Sequence, residues 1–302
     1  MTQSFFPTII PNSKSTRETT LNETNPKPSA RTEPCTSSSG LHCEMYGEGN
    51  PVLCLHGLGA STYSWRNLIE PVSKDYKLIL IDFRGFGASP KPNDKHYSIQ
   101  EHADSIYQFI LEHDLKNLTL VGNSFGGAVS LLVAIRLCEQ ERARFSKLIL
   151  VDSGGYNQHL PIHLKLLRMP VLGWLAIHVL PPWISALTVL KDSYYDWRKI
   201  TRKQIRAYAK PIGEPGGRHA MLETAKQIIP ANIDEIIAKY KTICVPTLII
   251  WGQQDRVIPI VIGQMLDEAI PDSSLVAIDH AGHVPQEEVP EAVVPLVLEF
   301  LQ

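Results

Sequence analysis

The sequence of 302 residues lacks the features that would assign it to several specialised classes of protein. Its 29 Lys and Arg nearly balance its 31 Asp and Glu, so the net charge of −2 gives no global attraction to nucleic acid. It contains neither the Cys and His spacing of a zinc site nor a glycine-rich P-loop. We therefore expect no nucleic-acid partner, no metal and no cofactor.

Cysteine is scarce as well. The five cysteines are scattered and odd in number, and Cys54 lies inside an apolar run. This pattern favours buried thiols over a framework of disulfides. Because free thiols persist in a reducing compartment, we take the cytoplasm as the default location.

The sequence also has no uninterrupted hydrophobic run long enough to cross a bilayer. Residues 169–190 carry no Asp, Glu, Lys or Arg, but His178 and Pro181-Pro182 divide them into pieces of about ten residues, too short for ~30 Å of hydrocarbon. We predict no transmembrane segment and at most weak contact with a membrane surface. Residues 1–40 are rich in Ser, Thr, Asn and Pro and lack the basic start of a signal peptide, which predicts a disordered tail.

From residue 41 to 302, apolar strand patterns alternate with helical patterns. This alternation predicts the α/β class, with a doubly wound and mostly parallel sheet. A long helical segment rich in proline interrupts the alternation after Asp152, and we predict that residues 154–238 form an inserted helical cap over one edge of the sheet. The predicted strands are 51–56, 77–82, 118–122, 147–152, 247–251 and 274–278.

The most informative motif is Gly122-Asn-Ser124-Phe-Gly126, which follows an apolar strand and precedes a helical pattern. In this context G-x-S-x-G is typical of a nucleophile elbow, a strained turn that presents the serine hydroxyl at the carboxyl edge of a sheet. The two glycines allow strand and helix to approach closely. The alternative is an ordinary glycine-rich turn without chemistry.

Partners for a serine nucleophile follow in the expected order of acid and then histidine. Asp255 comes directly after the strand that ends at Gly252, and His280 and His283 follow the last strand. The residues alone do not decide between these two histidines. Asp152, at the end of an earlier strand, is a rival for the acid.

These motifs together resemble the α/β-hydrolase fold serine hydrolases. The resemblance covers about residues 41–302 and rests on His56-Gly57-Leu58-Gly59, Asp82-Phe-Arg84-Gly85, Gly122-Asn-Ser-Phe-Gly-Gly127, Trp251-Gly-Gln-Gln-Asp255 and Gly282-His283. It implies that Ser124 is the nucleophile, Asp255 the acid and His283 the base.

The same resemblance assigns the oxyanion hole to the backbone N–H groups of Leu58 and Phe125. A rival interpretation of this region is a dinucleotide-binding turn, because Gly57-x-Gly59 follows a strand and Asp82 ends the next one. Thr62 stands where that motif needs its third glycine. Arg84 is expected to have a structural role, binding loop carbonyls or Asp82.

Three of the five tryptophans lie in the predicted cap, which favours an apolar small-molecule substrate. We predict that Trp174 and Trp183 line its pocket; the alternative is that they only pack the cap onto the core. Arg198, Arg202 and Arg206 recur every four residues and share one helix face. That face is either simply solvated or binds an anionic substrate tail or an acidic membrane surface.

The expected function is hydrolysis of an ester or related acyl bond through an acyl-enzyme, as in carboxylesterases. One alternative is a C–C bond hydrolase of ring-cleavage products, which the Gly-Asn-Ser-x-Gly-Gly elbow resembles. Those enzymes usually carry Gly-Pro-Gly where this chain has Gly59-Ala60-Ser61. The other alternative is a ligand-binding or signalling protein of the same fold that does not turn over.

Overall fold

The computed structural model of the protein describes residues 40–157 and 160–302. All of the predicted tail except Gly40 lies outside the described residues. The described residues form one seven-stranded sheet in the order β1-β3-β2-β4-β5-β6-β7, in which only the β1–β3 pair is antiparallel. The strands are β1 Cys43–Tyr46, β2 Pro51–Leu55, β3 Lys77–Ile81, β4 Leu118–Asn123, β5 Phe145–Val151, β6 Thr247–Gly252 and β7 Ser273–Ile278.

Twelve α-helices accompany the sheet in the described part of the chain, and four short 3-10 turns connect elements at Thr62–Trp65, Arg142–Arg144, Trp197–Lys199 and Tyr240–Thr242. The helices are α1 Arg66–Val72, α2 Ile99–Glu112, α3 Phe125–Gln140, α4 Ile162–Arg168, α5 Pro170–Val179, α6 Pro182–Ser193, α7 Arg202–Gly213, α8 Gly217–Lys226, α9 Ile233–Ala238, α10 Val261–Ala269, α11 Pro285–Glu288 and α12 Pro290–Leu301.

The sheet is covered on both faces, because side chains of each strand alternate between two apolar cores. In β2, Leu53 and Leu55 belong to the core beneath α2, α3 and α10, whereas Val52 and Cys54 belong to the core beneath α1 and α12. All five residues of β2 are buried. This is the doubly wound arrangement predicted from the sequence, with β1 as an additional short edge strand that the sequence patterns did not indicate.

Six of the helices, α4 to α9, lie between β5 and β6, and we call them the inserted helices. Their ends fall within residues 154–238. A third apolar cluster joins them to the rest of the molecule, since Ala186, Leu190 and Tyr208 pack with Ala60 and Val284 from loops at the carboxyl edge of the sheet. The inserted helices therefore cover the edge where the predicted site residues lie.

No single helix of the described chain is long and apolar enough to span a membrane. Only α4 and α5 taken together, with a bend of 112° between them, reach the length and composition of a span.

The cysteines differ from the prediction of free thiols. Cys54 is free and buried, but Cys138 and Cys244 form a disulfide, and Cys43 is disulfide-bonded as well. The disulfide between Cys138 and Cys244 joins the C-terminal half of α3 to the loop before β6, and its two cysteines are 106 positions apart in sequence. Sequence spacing could not reveal this contact, and the argument for a reducing compartment loses its basis.

Candidate active site

Ser124 occupies the sharp turn between β4 and α3, with φ 55° and ψ −116°. A non-glycine residue is rare in this region of backbone space and is held there by its surroundings. The turn is possible because its flanks carry no Cβ atoms. A Cβ on Gly126 would collide with the carbonyl oxygens of Leu55 and His56, and one on Gly122 would collide with that of Gly126.

The structure brings Ser124, His283 and Asp255 together in one chain of hydrogen bonds. Ser124 Oγ lies 2.7 Å from His283 Nε2, and His283 Nδ1 lies 2.7 Å from Asp255 Oδ2. An ionised carboxylate only accepts, so Nδ1 carries the proton and Nε2 is left to accept from the serine hydroxyl. His283 and Asp255 are both buried, which strengthens these contacts by excluding water.

Backbone contacts fix each member of this chain. The second oxygen of Asp255 accepts the N–H groups of Val257 at 2.7 Å and Ile258 at 3.0 Å. The N–H of His283 donates to the carbonyl of Ser193 at 2.7 Å, and the side-chain amide of Asn123 donates to the carbonyl of His283 at 3.1 Å. His283 is thus positioned by β4, which leads to Ser124, and by the inserted helices.

The structure also separates the two histidines that the sequence left undecided. His280 has φ 56°, and its exposed side chain lies 3.5 Å from Asp279. His283 points inward to Ser124. Only His283 therefore meets the geometric requirement for a base.

Asp152, the rival acid, lies behind Asp255. It is fully buried at the end of β5, and its Oδ1 accepts the N–H of Gly252 at 2.9 Å. Burial, and next the negative charge of Asp255, raise the pKa of Asp152 well above its usual value. Asp255, and not Asp152, is hydrogen-bonded to His283 Nδ1, so the structure favours Asp255 as the acid.

Asp152, Asp255 and His283 also form a group whose ligand-type atoms lie within 4.8 Å of one another. The hydrogen bond between His283 and Asp255 accounts for that proximity. A metal would have to displace it, because Nδ1 would need its lone pair for the ion. These residues therefore fit a proton-transfer chain better than a metal site.

The two predicted oxyanion donors lie next to Ser124. Phe125 is the first residue of α3, so its N–H has no partner within the helix and adds the partial positive charge of the helix start. Leu58 lines the same cavities as Ser124, and a Cβ on the preceding Gly57 would lie 3.3 Å from that of Ser124. Both residues therefore lie beside Ser124, and their role as oxyanion donors stays a prediction.

The loop that carries Leu58 is held by His56 and Asp82, neither of which the sequence analysis placed in this role. His56 Nε2 accepts the N–H of Phe83 at 3.1 Å, so Nδ1 donates to the Gly57 carbonyl at 2.8 Å. The Asp82 oxygens accept the N–H groups of Thr62 and Ala88, both at 2.7 Å. Because Asp82 is buried and both of its oxygens bind backbone amides of the protein, it is not exposed to a ribose, which argues against the dinucleotide interpretation.

Arg84 has the structural role expected of it and binds a loop carbonyl, but its carboxylate partner is Asp94 in place of Asp82. Its guanidinium forms two hydrogen bonds to Asp94, at 2.5 and 2.9 Å, and one to the carbonyl of His96 at 2.7 Å. These contacts close the loop after β3 and do not reach Ser124.

Two apolar cavities meet at Ser124. The larger, about 260 Å³, extends beneath the inserted helices, and its lining includes Leu164, Leu167, Ile177, Val189 and Met221. The smaller, about 90 Å³, has a different set of lining residues, which includes Ile99, Leu132, Ile228, Pro230 and Ile258. Leu58, Ser124, Leu164 and Val257 belong to both linings. Ser124 therefore borders two apolar cavities at once.

The prediction that Trp174 and Trp183 line the pocket is wrong. Their side chains are 53% and 54% exposed, and neither belongs to either lining. The inner face of α5 consists of Gly173 and Ile177, and a Cβ on Gly173 would collide with the carbonyl of Leu167. Close packing through this glycine turns Trp174 outward, where it stacks on His178 with ring centroids 4.6 Å apart.

The three arginines that recur every four residues, Arg198, Arg202 and Arg206, lie outside the cavities as well. Arg202 and Arg206 are exposed on α7, but Arg198 lies in the preceding 3-10 turn and binds Asp196 at 2.8 Å, so the three arginines do not share one helix face as predicted. Neither cavity has one of them in its lining. This arrangement agrees with a solvated face.

Sequence reasoning missed the buried carboxylate of Glu288, which organises the site. Glu288 accepts the N–H groups of Gly282 at 2.9 Å, Tyr195 at 3.0 Å and Asp196 at 2.7 Å. It thereby ties the loop of His283 to the connection after α6. A glutamate in a short acidic helix start carries no sequence signal for this role.

With this geometry established, comparisons with known proteins become informative. The model of the α/β-hydrolase fold family matches residues 50–176 and 184–290, more than half of the chain. The chain belongs to this family. The predicted family and fold are thereby confirmed.

Relatives of this α/β-hydrolase have more than one named activity. It is 28% identical to 2-hydroxy-6-oxo-2,4-heptadienoate hydrolase of Pseudomonas putida, over 87% of this chain and 94% of the relative. It is also 28% identical to Lipase 3 of a Moraxella species, over 80% of this chain and 73% of the relative. A solved meta-cleavage product hydrolase of Pseudomonas fluorescens superposes with a TM-score of 0.73 and 25% identity, covering 89% of this chain and 97% of that one.

Proposed function

We propose that this α/β-hydrolase cleaves esters of apolar acids or alcohols through an acyl-enzyme on Ser124. The observation that carries the proposal is the hydrogen-bonded chain from Ser124 through His283 to Asp255, at the junction of two apolar cavities. A serine with a base in contact and a carboxylate behind that base is the arrangement that activates a hydroxyl as nucleophile.

The reaction follows from the positions of these groups. His283 Nε2 takes the proton of Ser124 while Oγ attacks the ester carbon, and the N–H groups of Leu58 and Phe125 stabilise the negative oxygen that forms. His283 then returns the proton to the leaving alcohol. Water, deprotonated by the same nitrogen, attacks the acyl-enzyme and releases the acid.

The lining of the cavities favours an ester over the anionic dienoates named for some relatives. A dienoate carries a carboxylate, which is usually held by Arg or Lys. Among the described residues that line either cavity, none is Arg or Lys. Both cavities are lined largely by aliphatic side chains, which supports a substrate that is apolar on both sides of the ester.

The test is steady-state hydrolysis of p-nitrophenyl esters of increasing acyl length by the purified full chain. We expect multiple turnover. Ser124→Ala and His283→Ala should each lose about 10⁴-fold or more in kcat, and the double variant should be hardly worse because the residues act as a unit. His280→Ala is the matched control on the same loop and should keep its activity.

Several results would redirect this proposal. Activity that survives in Ser124→Ala would remove the nucleophile assignment. Preferred turnover of a ring-cleavage dienoate would replace the ester with C–C bond hydrolysis, which the Gly-Asn-Ser-x-Gly-Gly elbow and the Pseudomonas relatives support as the second candidate. A single turnover with retained product would make the chain a ligand-binding protein.

A further inference from the structure

The exposed apolar side chains of the described residues are concentrated on one part of the molecule. Of fourteen large apolar side chains that are exposed, all but Val261 and Met265 lie in residues 162–197. Contiguous exposed apolar surface is uncommon on a soluble monomer and marks an interaction site. The twelve are Ile162, Leu166, Met169, Val171, Leu172, Trp174, Leu175, Val179, Leu180, Trp183, Tyr195 and Trp197.

Helix α5 shows why this exposure is not incidental. Its inner face is buried through Gly173 and Ile177, yet its outer face is apolar as well, with Val171 and Val179 each 70% exposed. The helix contains no Asp, Glu, Lys or Arg. A helix that is apolar all round requires an apolar environment on its outer side too.

The charged side chains on α4, α5 and the start of α6 are all basic, although Asp192 and Asp196 follow beside Tyr195 and Trp197 at the end of the exposed apolar set. No Asp or Glu occurs in residues 153–191, whereas Lys165, Arg168 and Lys191 are present and exposed. The chain as a whole is slightly acidic, at −2. Apolar side chains with a basic rim complement a surface that is apolar inside and negatively charged outside, which describes a bilayer containing anionic lipids.

Two tryptophans support the same partner. Trp174 and Trp183 project from α5 and from the first turn of α6 and are about half exposed. Indole rings combine an apolar body with a polar N–H and concentrate at the interface between lipid and water. Their outward orientation, which excludes them from the substrate cavity, suits that interface.

The surface is continuous with the active-site cavity. Leu166 and Leu180 belong to the exposed apolar set and also line the larger cavity that leads to Ser124. Leu164 and Ile177 continue the lining inward from the same helices. An acyl chain entering here would pass from one apolar environment into another.

We propose that α4, α5 and the start of α6 form a docking surface for anionic lipid bilayers, from which the enzyme takes lipid-soluble ester substrates. The substrate part rests on the proposed function. The docking part is independent of the proposed function, because it is argued only from the exposed apolar side chains and the basic side chains around them.

The experiment measures sedimentation of the full chain with vesicles of phosphatidylcholine, alone or mixed with phosphatidylglycerol. Ser124→Ala is used as the background, so that hydrolysis cannot alter the vesicles. We expect binding to the mixed vesicles, and Val171→Glu combined with Trp174→Glu should weaken it by roughly tenfold or more, because two apolar contacts are replaced by repelled charges. Val261→Glu with Met265→Glu, on the remote helix α10, is the matched control and should bind normally.

A second pair of substitutions tests the charge. Lys165→Gln with Arg168→Gln should remove most of the preference for phosphatidylglycerol, and added salt should have the same effect on the unsubstituted chain. Equal binding to both vesicle types before and after this change would overturn the electrostatic part of the proposal.

Activity separates docking from chemistry. In chains that retain Ser124, the docking substitutions should leave kcat/KM for a soluble acetyl ester unchanged and lower the hydrolysis of a long-chain ester presented in vesicles. Vesicle binding without any esterase activity would refute the proposed function and leave docking intact. Failure to bind either type of vesicle would overturn docking. Self-association of the chain that is abolished by Val171→Glu with Trp174→Glu would overturn it too, because a second copy would then cover the surface.

Discussion

Replacement of Asp255 by Asn is the sharpest test of how the base is held. One oxygen of Asp255 accepts two backbone N–H groups, and the other accepts the proton of His283 Nδ1. Asparagine has a single carbonyl oxygen. The two backbone donors at Val257 and Ile258 require that oxygen, so the amide NH₂ would face His283.

An NH₂ group donates, and Nδ1 of His283 would therefore have to accept. The proton of the imidazole would move to Nε2, where it faces Ser124 Oγ and blocks proton transfer from the serine. We expect kcat to fall about 10⁴-fold through this wrong tautomer. At 1.36 kcal/mol for each factor of ten, the barrier would rise by about 5 kcal/mol.

Asp152→Asn is the matched control, because Asp152 is the neighbouring buried carboxyl. Its amide oxygen can still accept the N–H of Gly252, and its NH₂ can donate toward Asp255 as a protonated carboxyl would. We expect little change in kcat. The assay is saturation kinetics with a p-nitrophenyl ester, with circular dichroism to verify that both variants are folded. A larger loss for Asp152→Asn than for Asp255→Asn would move the acid to the end of β5.

Three further predictions concern stability. Because the pKa of Asp152 is raised above 3.8 by burial, the unfolded chain releases this proton at a pH where the folded chain keeps it. As the pH rises above 3.8, the free energy of unfolding of Asp152→Asn should therefore increase relative to that of the unsubstituted chain. A pH-independent difference between the two chains in urea titrations would contradict this. Gly126→Ala should lower the free energy of unfolding by about 1–3 kcal/mol or more, because the new Cβ would collide with the carbonyls of Leu55 and His56. Gly213→Ala is the control in the same titrations and should be nearly neutral, because its Cβ would meet only Pro182, at 3.5 Å. Cys138→Ser with Cys244→Ser should lower the free energy of unfolding by up to about 4–5 kcal/mol, because the disulfide closes a loop between residues 106 positions apart. An unchanged thermal midpoint would show that the two thiols are not joined in solution.

The sheet and the polar residues of the site were predictable because their signals are local. Ser124, Asp255 and His283 lie at or within five residues of the carboxyl ends of β4, β6 and β7, and parallel strands bring their carboxyl ends to one edge. The edge strand β1 escaped prediction because four residues, Cys43–Tyr46, are too few for a clear period.

The inserted helices were less predictable, for a reason visible in α5. Periodicity identifies the inner face of a helix only when the other face is polar, and α5 is apolar on both. The choice between Trp174 and Ile177 as a lining residue was decided by the close approach at Gly173, a tertiary contact. The disulfide between Cys138 and Cys244 and the three bonds to Glu288 likewise depend on segments far apart in sequence.

The bonds of Glu288 carry a lesson for protein engineering. Glu288 binds Gly282, one residue before His283, and also binds the backbone that follows α6. The inserted helices and the loop of His283 are therefore connected in space, although Asp196 and Gly282 are 86 positions apart in sequence. A chimera that exchanges only the inserted helices for those of a relative would leave Glu288 facing foreign backbone and weaken the support of the loop that carries His283. A transplant of substrate specificity within this scaffold must therefore carry Pro285–Glu288 along with the helices.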